Sequence, residues 1–236
     1  MTDLSYIDRN VEAVLERIRR CAESVGRKSE DITLLAAVKY ATDEEIAHLH
    51  SCGIRVIGEN RVQQFREHSL SSEYAKYRKH FIGSLQTNKV KYIVPSIDMI
   101  ESLDSVRLAE EIERQAAKCN KVCDVLCEIN IGREENKTGV LPEDLEEFVE
   151  SISKFEHLNV CGFMTMAPAM CDSATYRKYF AQTYKLAIDI WQKNMHNING
   201  KRSERPLVSM GMSGSFEEAV LEGSDIVRVG RGLFQK

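Results

Sequence analysis

Residues 32–51 read Ile32-Thr-Leu-Leu-Ala-Ala-Val38, then Lys39-Tyr40-Ala41, then Thr42-Asp-Glu-Glu-Ile-Ala-His-Leu-His-Ser51. The first seven residues are almost wholly apolar. Short runs of this kind suit strands of a parallel sheet covered on both faces. Thr42 follows as a helix N-cap, and Glu45 three residues later completes a capping box. One strand, a three-residue turn and one helix make the first βα unit.

The unit recurs along the chain. Strands are expected at Arg55–Ile57, Lys79–Ile82, Asp98–Ile100, Val122–Ile131, Val160–Met164, Leu207–Ser209 and Ile226–Val229. Helices are expected at Asn60–Ser69, Thr87–Val94, Ser105–Lys118, Pro142–Ser153, Ala174–Trp191 and Ser215–Leu221. Strand–helix alternation argues for parallel βαβ units. Eight strands in 236 residues favour a closed (β/α)8 barrel over an open doubly wound sheet. Ahead of it, Leu4, Ile7, Val11, Val14, Leu15, Ile18 and Ala22 recur with helical period. That extra N-terminal helix ends at Gly26, a suitable C′ residue. The chain is thus expected to be one α/β domain, residues 1–236, a TIM barrel with an added helix. Met195–Pro206 reads as a polar loop and is the stretch expected to be disordered; a short tail from Gly232 closes the chain.

Composition narrows the function classes. Charged residues make up 29% and apolar ones 43%, as in ordinary globular proteins. The net charge of −4 gives no basis for non-specific nucleic-acid binding. No apolar run is long enough to span a membrane, and the charged, amphipathic N-terminus lacks a signal-peptide core. A cytoplasmic protein is expected. The seven cysteines form an odd, scattered set. Cys119, Cys123 and Cys127 invite a metal reading, but they lack a C-x-x-C spacing and a nearby histidine. Buried thiols are expected there, with no metal.

Functional residues of such a barrel gather where strands end. Lys39 follows the first strand, and apolar walls around its stem would disfavour the ammonium form. The free amine could then form an imine with an aldehyde; a snorkelling strand-end lysine is the plainer reading. Ser209-Met-Gly211-Met-Ser213-Gly214 lies at the seventh turn. Glycines let the backbone approach an anion, and a helix start directs N–H groups at it; a capped glycine turn is the alternative. Arg228-Val-Gly230-Arg231-Gly232 ends the eighth strand. If Val227 and Val229 face the helices, Arg228 points inward and needs an acceptor, whether a ring nitrogen or a carboxylate. Closing the barrel sets Lys39 beside strands seven and eight. The pairing suggests an aldehyde that carries a phosphate: pyridoxal 5′-phosphate (PLP) or a sugar phosphate. Other polar residues at the mouth are Glu59 and Asn60, His80 with Gly83, and the Glu134–Gly139 loop. His80 could equally be a core histidine.

Several blocks together resemble a known family, the YggS/PROSC group of PLP-binding homeostasis proteins. They are AAVKYAT around Lys39, GENRVQ from Gly58, HFIGSLQTNK from His80, EENKTGV from Glu134, GFMTMAP from Gly162, and SMGMSGSFEEAV with DIVRVGRGLF at the end. The resemblance implies a barrel of the alanine racemase N-terminal domain type with PLP as a Schiff base on Lys39. It implies phosphate contacts from Ser209, Gly211, Ser213, Gly230 and Arg231, with Arg228 near the pyridine nitrogen. Asn60, His80 and Met164 would flank the ring, and Lys137 would lie near the cofactor or its entry path. Ser84 stands where the family often has proline, and Arg231 where many members have a small hydroxyl residue, so the donor set is open at that point. Racemisation needs a proton donor and acceptor on opposite faces, and the second domain that supplies the other group in racemases would be missing. A lone barrel also leaves the cofactor open to water. The resemblance therefore implies a PLP carrier in vitamin B6 homeostasis without substantial catalysis and with no catalytic residues. A PLP-dependent amino-acid racemase is the alternative, and a Schiff-base aldolase acting on a phosphosugar is more remote. Exchange partners would be PLP-dependent or PLP-synthesising enzymes, and the protein would be a monomer.

Overall fold

A computed structural model describes residues 3–194 and 204–236. Most of the segment expected as a polar disordered loop, Met195–Pro206, lies outside the described residues. Eight parallel strands close into a barrel in sequence order. They are β1 (Thr33–Ala37), β2 (Val56–Glu59), β3 (Arg78–Phe81), β4 (Met99–Leu103), β5 (Cys123–Ile129), β6 (Leu158–Thr165), β7 (Leu207–Met212) and β8 (Ile226–Val229). The seam is the β1–β8 pair, in which Thr33 lies beside Ile226 and Ala36 beside Val229.

Helices pack around the sheet: α1 (Ser5–Ser24), α2 (Asp43–Ser51), α3 (Val62–His68), α4 (Val106–Lys118), α5 (Leu145–Ile152), α6 (Ser173–Asn194), α7 (Phe216–Leu221) and a single turn, α8 (Arg231–Phe234). In α1 the periodic residues Ile7, Val11, Val14, Ile18 and Ala22 are all buried, as the spacing requires. The α2 capping box forms: the Glu45 amide donates to Thr42 Oγ1, and the Thr42 amide donates to the Glu45 carboxylate. Ser105 caps α4 by accepting the Leu108 amide. No described helix is long and apolar enough to cross a membrane.

Three expectations shift. Thr87–Tyr92 is a 3-10 segment and not an α-helix. Its β-branched and aromatic residues are weak helix formers, and Pro95 blocks the α conformation at Val94. Strand β7 runs three residues beyond its expected end at Ser209, so Gly211 belongs to the strand. Part of the expected tail is α8.

The main core lies between sheet and helices. Inside the barrel a smaller apolar cluster joins Met99, Leu126 and Met164. A cavity of about 200 Å³ opens at the N-terminal end of the strands, lined by Thr33, Val56, Arg78 and Leu207 among others. The interior also carries buried charged side chains, Glu101, Glu128 and Arg228, and these hold the site.

Candidate functional site

Arg228 occupies the middle of the barrel. Its neighbours Val227 and Val229 are fully buried on the helix side, and Arg228 itself is only 4% exposed. The inward direction read from strand alternation therefore holds. Its acceptors are the Ser209 hydroxyl at 2.6 Å and the Thr165 carbonyl at 2.8 Å. The Glu101 carboxylate stands 3.9 Å away. Ser209 donates to Glu101 at 2.6 Å, and His80 Nδ1 meets the other Glu101 oxygen at 2.6 Å. Four side chains from β3, β4, β7 and β8 thus form one buried network. Burial alone would push the Glu101 carboxyl up. The bond from His80, the Arg228 charge and the Ser209 bond outweigh it and hold the carboxyl below its ordinary value. Burial draws the Arg228 guanidinium down from its ordinary value, against the pull of Glu101 and Glu128.

Glu101 escaped the sequence reading, although a carboxylate inside the apolar run Met99–Leu103 is a signal. A buried charge needs partners, and inward alternation placed Glu101 where they are. The same holds for Glu128 in β5. It accepts from Thr138 Oγ1 at 2.9 Å, and burial pushes its carboxyl up to about 7. Asp104, just past β4, is also pushed up by burial.

The last two loops form a cradle of backbone donors. The amides of Gly230 and Gly232 both point at Ser213 Oγ, at 3.3 and 3.4 Å. The Met212 amide donates to Ser215 Oγ at 3.2 Å. Serine oxygens thus sit where the oxygens of an anion would be received. A Cβ at Gly214 would meet nothing within 4 Å, so the turn is open on that side. Gly211 is required by geometry: its φ is +90°, and a Cβ would lie 2.5 Å from that of Ala219. Ser213, Arg231 and Gly232 also line a cavity of about 330 Å³ beneath α1. Arg231 is exposed.

Lys39 follows β1 by two residues and is half-buried. Its Nζ lies 5.3 Å from the centroid of the exposed Tyr40 ring, and its carbonyl accepts a bond from Gln64 Nε2. The β1–β8 register brings the Lys39 turn beside the Gly230 turn, since Ala36 pairs with Val229. Asn60 lies past β2, packed so closely on Gly83 that a Cβ there would fall 2.2 Å from the Asn60 carbonyl. Buried Asn60 Oδ1 and His80 Nε2 have no partner among the described residues.

Not every expected contact residue reaches the mouth. Ser209 is fully buried, and its hydroxyl is engaged with Glu101 and Arg228. It supports the arginine. Gly211 likewise shapes the turn from within β7. Met164 is fully buried beside Met99 and Leu126, whereas Met166 of the same block is 38% exposed. His80 is 3% exposed and committed to Glu101 on one side, which is the core-histidine alternative. Lys137 is exposed on the β5–α5 loop. Among the thiols expected to be buried, Cys119 is exposed, while Cys123 and Cys127 are buried and all seven are free.

The structure is thus a parallel barrel with a lysine past its first strand and backbone amides converging in its last two loops. The family model described as alanine racemase, N-terminal domain, matches residues 9–235. The chain belongs to that family, and within it to the group of pyridoxal phosphate homeostasis proteins. Over 221 residues it is 41% identical to the pyridoxal phosphate homeostasis protein of Aquifex aeolicus, covering 94% of each chain. A crystal structure of an unknown protein from Bifidobacterium adolescentis superposes with a TM-score of 0.91 at 33% identity, covering 99% of this chain and 97% of that one. PipY of Synechococcus elongatus, solved with PLP bound, matches with a TM-score of 0.79 at 27% identity, covering 94% of this chain and all of that one.

Proposed function

We propose that this chain binds PLP at the C-terminal mouth of the barrel, as a Schiff base on Lys39, and carries it in intracellular PLP homeostasis. The observation that carries the reading is the cradle: two backbone amides, from Gly230 and Gly232, converge on the Ser213 oxygen beside the strand that delivers Lys39. PLP has the two groups this arrangement suits, a phosphate for the amides and an aldehyde for the amine. Bound there, it would supply an electron-accepting pyridine ring.

The chain's own residues then have distinct tasks. Ser213, Gly230 and Arg231 receive the phosphate, with Arg231 free to add a charge-assisted bond. Arg228 keeps guanidinium N–H groups beyond its bonds to Ser209 and Thr165, which it would offer to the pyridine nitrogen. Glu101 and Ser209 fix its direction. The unpartnered Asn60 Oδ1 is a polar atom that a ring substituent would satisfy. Gly211 shapes the cradle and Met164 supports it from below. In this reading one barrel domain, acting as a monomer in the cytoplasm, exchanges PLP with enzymes that make or use it.

Carriage is favoured over racemisation because the curated relatives matched nearly end to end carry the homeostasis name. Titration with PLP should give a visible absorbance band in the wild type and none in Lys39→Ala. Borohydride reduction should fix the label on the Lys39 peptide; a label elsewhere would sink the assignment. Deuterium exchange at the α-carbon of L- and D-alanine separates carriage from racemisation. Exchange at ordinary enzyme rates, about 10 per second, would overturn the carrier reading.

A further inference from the structure

Three side chains of different chemistry meet where α1 crosses α2, in a cluster that the cofactor reading does not use. Asp8 comes from α1. His48 and Cys52 stand four residues apart on α2 and its C-cap, and so share one face. His48 Nε2 lies 3.0 Å from Asp8 Oδ1, and Cys52 Sγ lies 3.2 Å from the same oxygen. The three ligand atoms all fall within 4.8 Å of one another. One carboxylate oxygen therefore draws in both an imidazole nitrogen and a thiol.

A nitrogen, a sulfur and an oxygen donor around one point match a borderline-soft ion. Zinc binds these atoms at about 2.0–2.3 Å in a tetrahedron, which sets neighbouring ligands roughly 3.3–3.8 Å apart. The two separations to Asp8 Oδ1 are a few tenths of an ångström tighter, and the third lies within 4.8 Å, within reach of side-chain rotations. Thiolate and imidazole ligands argue against magnesium or calcium, which prefer oxygen. Exposure supplies a path: the Asp8 and His48 side chains are 54% and 27% accessible.

We propose that Asp8, His48 and Cys52 bind one Zn²⁺ ion, with the fourth position open to water. The Cys52 thiol releases its proton to solvent as the metal–sulfur bond forms. The thiolate and carboxylate balance the ion's charge. Binding would cross-link α1 to α2.

The test uses the full chain under reducing conditions, titrated with Co²⁺ as a spectroscopic probe and then with Zn²⁺. One equivalent of Co²⁺ should produce a thiolate-to-cobalt charge-transfer band and tetrahedral d–d bands, which Zn²⁺ bleaches. Cys52→Ser should abolish the charge-transfer band, while Cys171→Ser leaves it. Asp8→Asn, at an exposed position, should weaken Co²⁺ binding at least tenfold with an unchanged circular dichroism spectrum. A wild type without the band, a band that survives Cys52→Ser, or an Asp8→Asn variant of unchanged affinity would each overturn the site.

Discussion

At the scale of single residues, the interior arginine decides most. Arg228 is nearly inaccessible and bonded to Ser209 and Thr165, with Glu101 behind them. Removing one partner of a buried charge network costs about 3–5 kcal/mol, because the remaining charge loses its compensation. Arg228→Ala should lose stability on that scale in urea denaturation. Arg228→Lys should fall between, since an ammonium keeps the charge but not the planar fork. A loss below about 1 kcal/mol for both would show that the network is not coupled. Glu128 gives a pH signature. Burial raises its carboxyl from 4.5 to about 7, so the fold disfavours the ionised form. That penalty is absent below about pH 4.5, grows through the interval and is complete above pH 7. Glu128→Gln should therefore match the wild type near pH 4 and exceed it above pH 7, by on the order of 3 kcal/mol. Denaturation midpoints across this range check it, and a difference that does not vary with pH would sink it. Lys39, Ser213 and Gly230 drew attention in the sequence because they stand at strand ends, where functional residues of such barrels gather. Glu101 and Glu128 were passed over because each is a charge inside a largely apolar strand, and the closed barrel reveals what it faces.

At the scale of elements, the turn from β7 to α7 is the most constrained. Gly211 combines a φ of +90° with contact against Ala219. A Cβ there meets both a left-handed backbone penalty and an overpacked helix, together about 2–4 kcal/mol. Gly211→Ala should lower the melting temperature and weaken PLP binding together, because α7 would be pushed away from Ser213 and Ser215. Intact PLP affinity in a destabilised variant would detach this turn from the cofactor. Strong periodicity made the long elements readable: α1, α2 with its capping box, α4 and the apolar β1 lie close to their expected places. Weaker patterns misled. Gly211 interrupts the pattern of β7 after Ser209, so the strand looked shorter than it is. The Thr87 segment carried helical spacing but not helical propensity.

At the scale of the whole molecule, α1 is more than a cover. Asn10 Nδ2 donates to the Leu233 carbonyl at 3.2 Å and the Gln235 carbonyl at 2.7 Å. Arg17 pairs with Glu217 at 2.7 Å and lies 4.5 Å from the centre of the Phe216 ring. The first of these contacts holds α8, the second the start of α7. One helix thus ties together the two loops whose donors converge on Ser213. The Arg17 pair is largely exposed, so its ionic part is worth little. The Asn10 bonds, to carbonyls that close the chain onto the barrel, matter more, at roughly 0.5–1.5 kcal/mol each. Asn10→Ala should then lower stability by about 1–2 kcal/mol. If the cradle depends on the position of α8, it should also weaken PLP binding several-fold, chiefly through faster release. Stopped-flow absorbance and a thermal melt on the same sample separate the two effects. Unchanged release in a variant that has lost the expected stability would make α1 a prop for the barrel and nothing more.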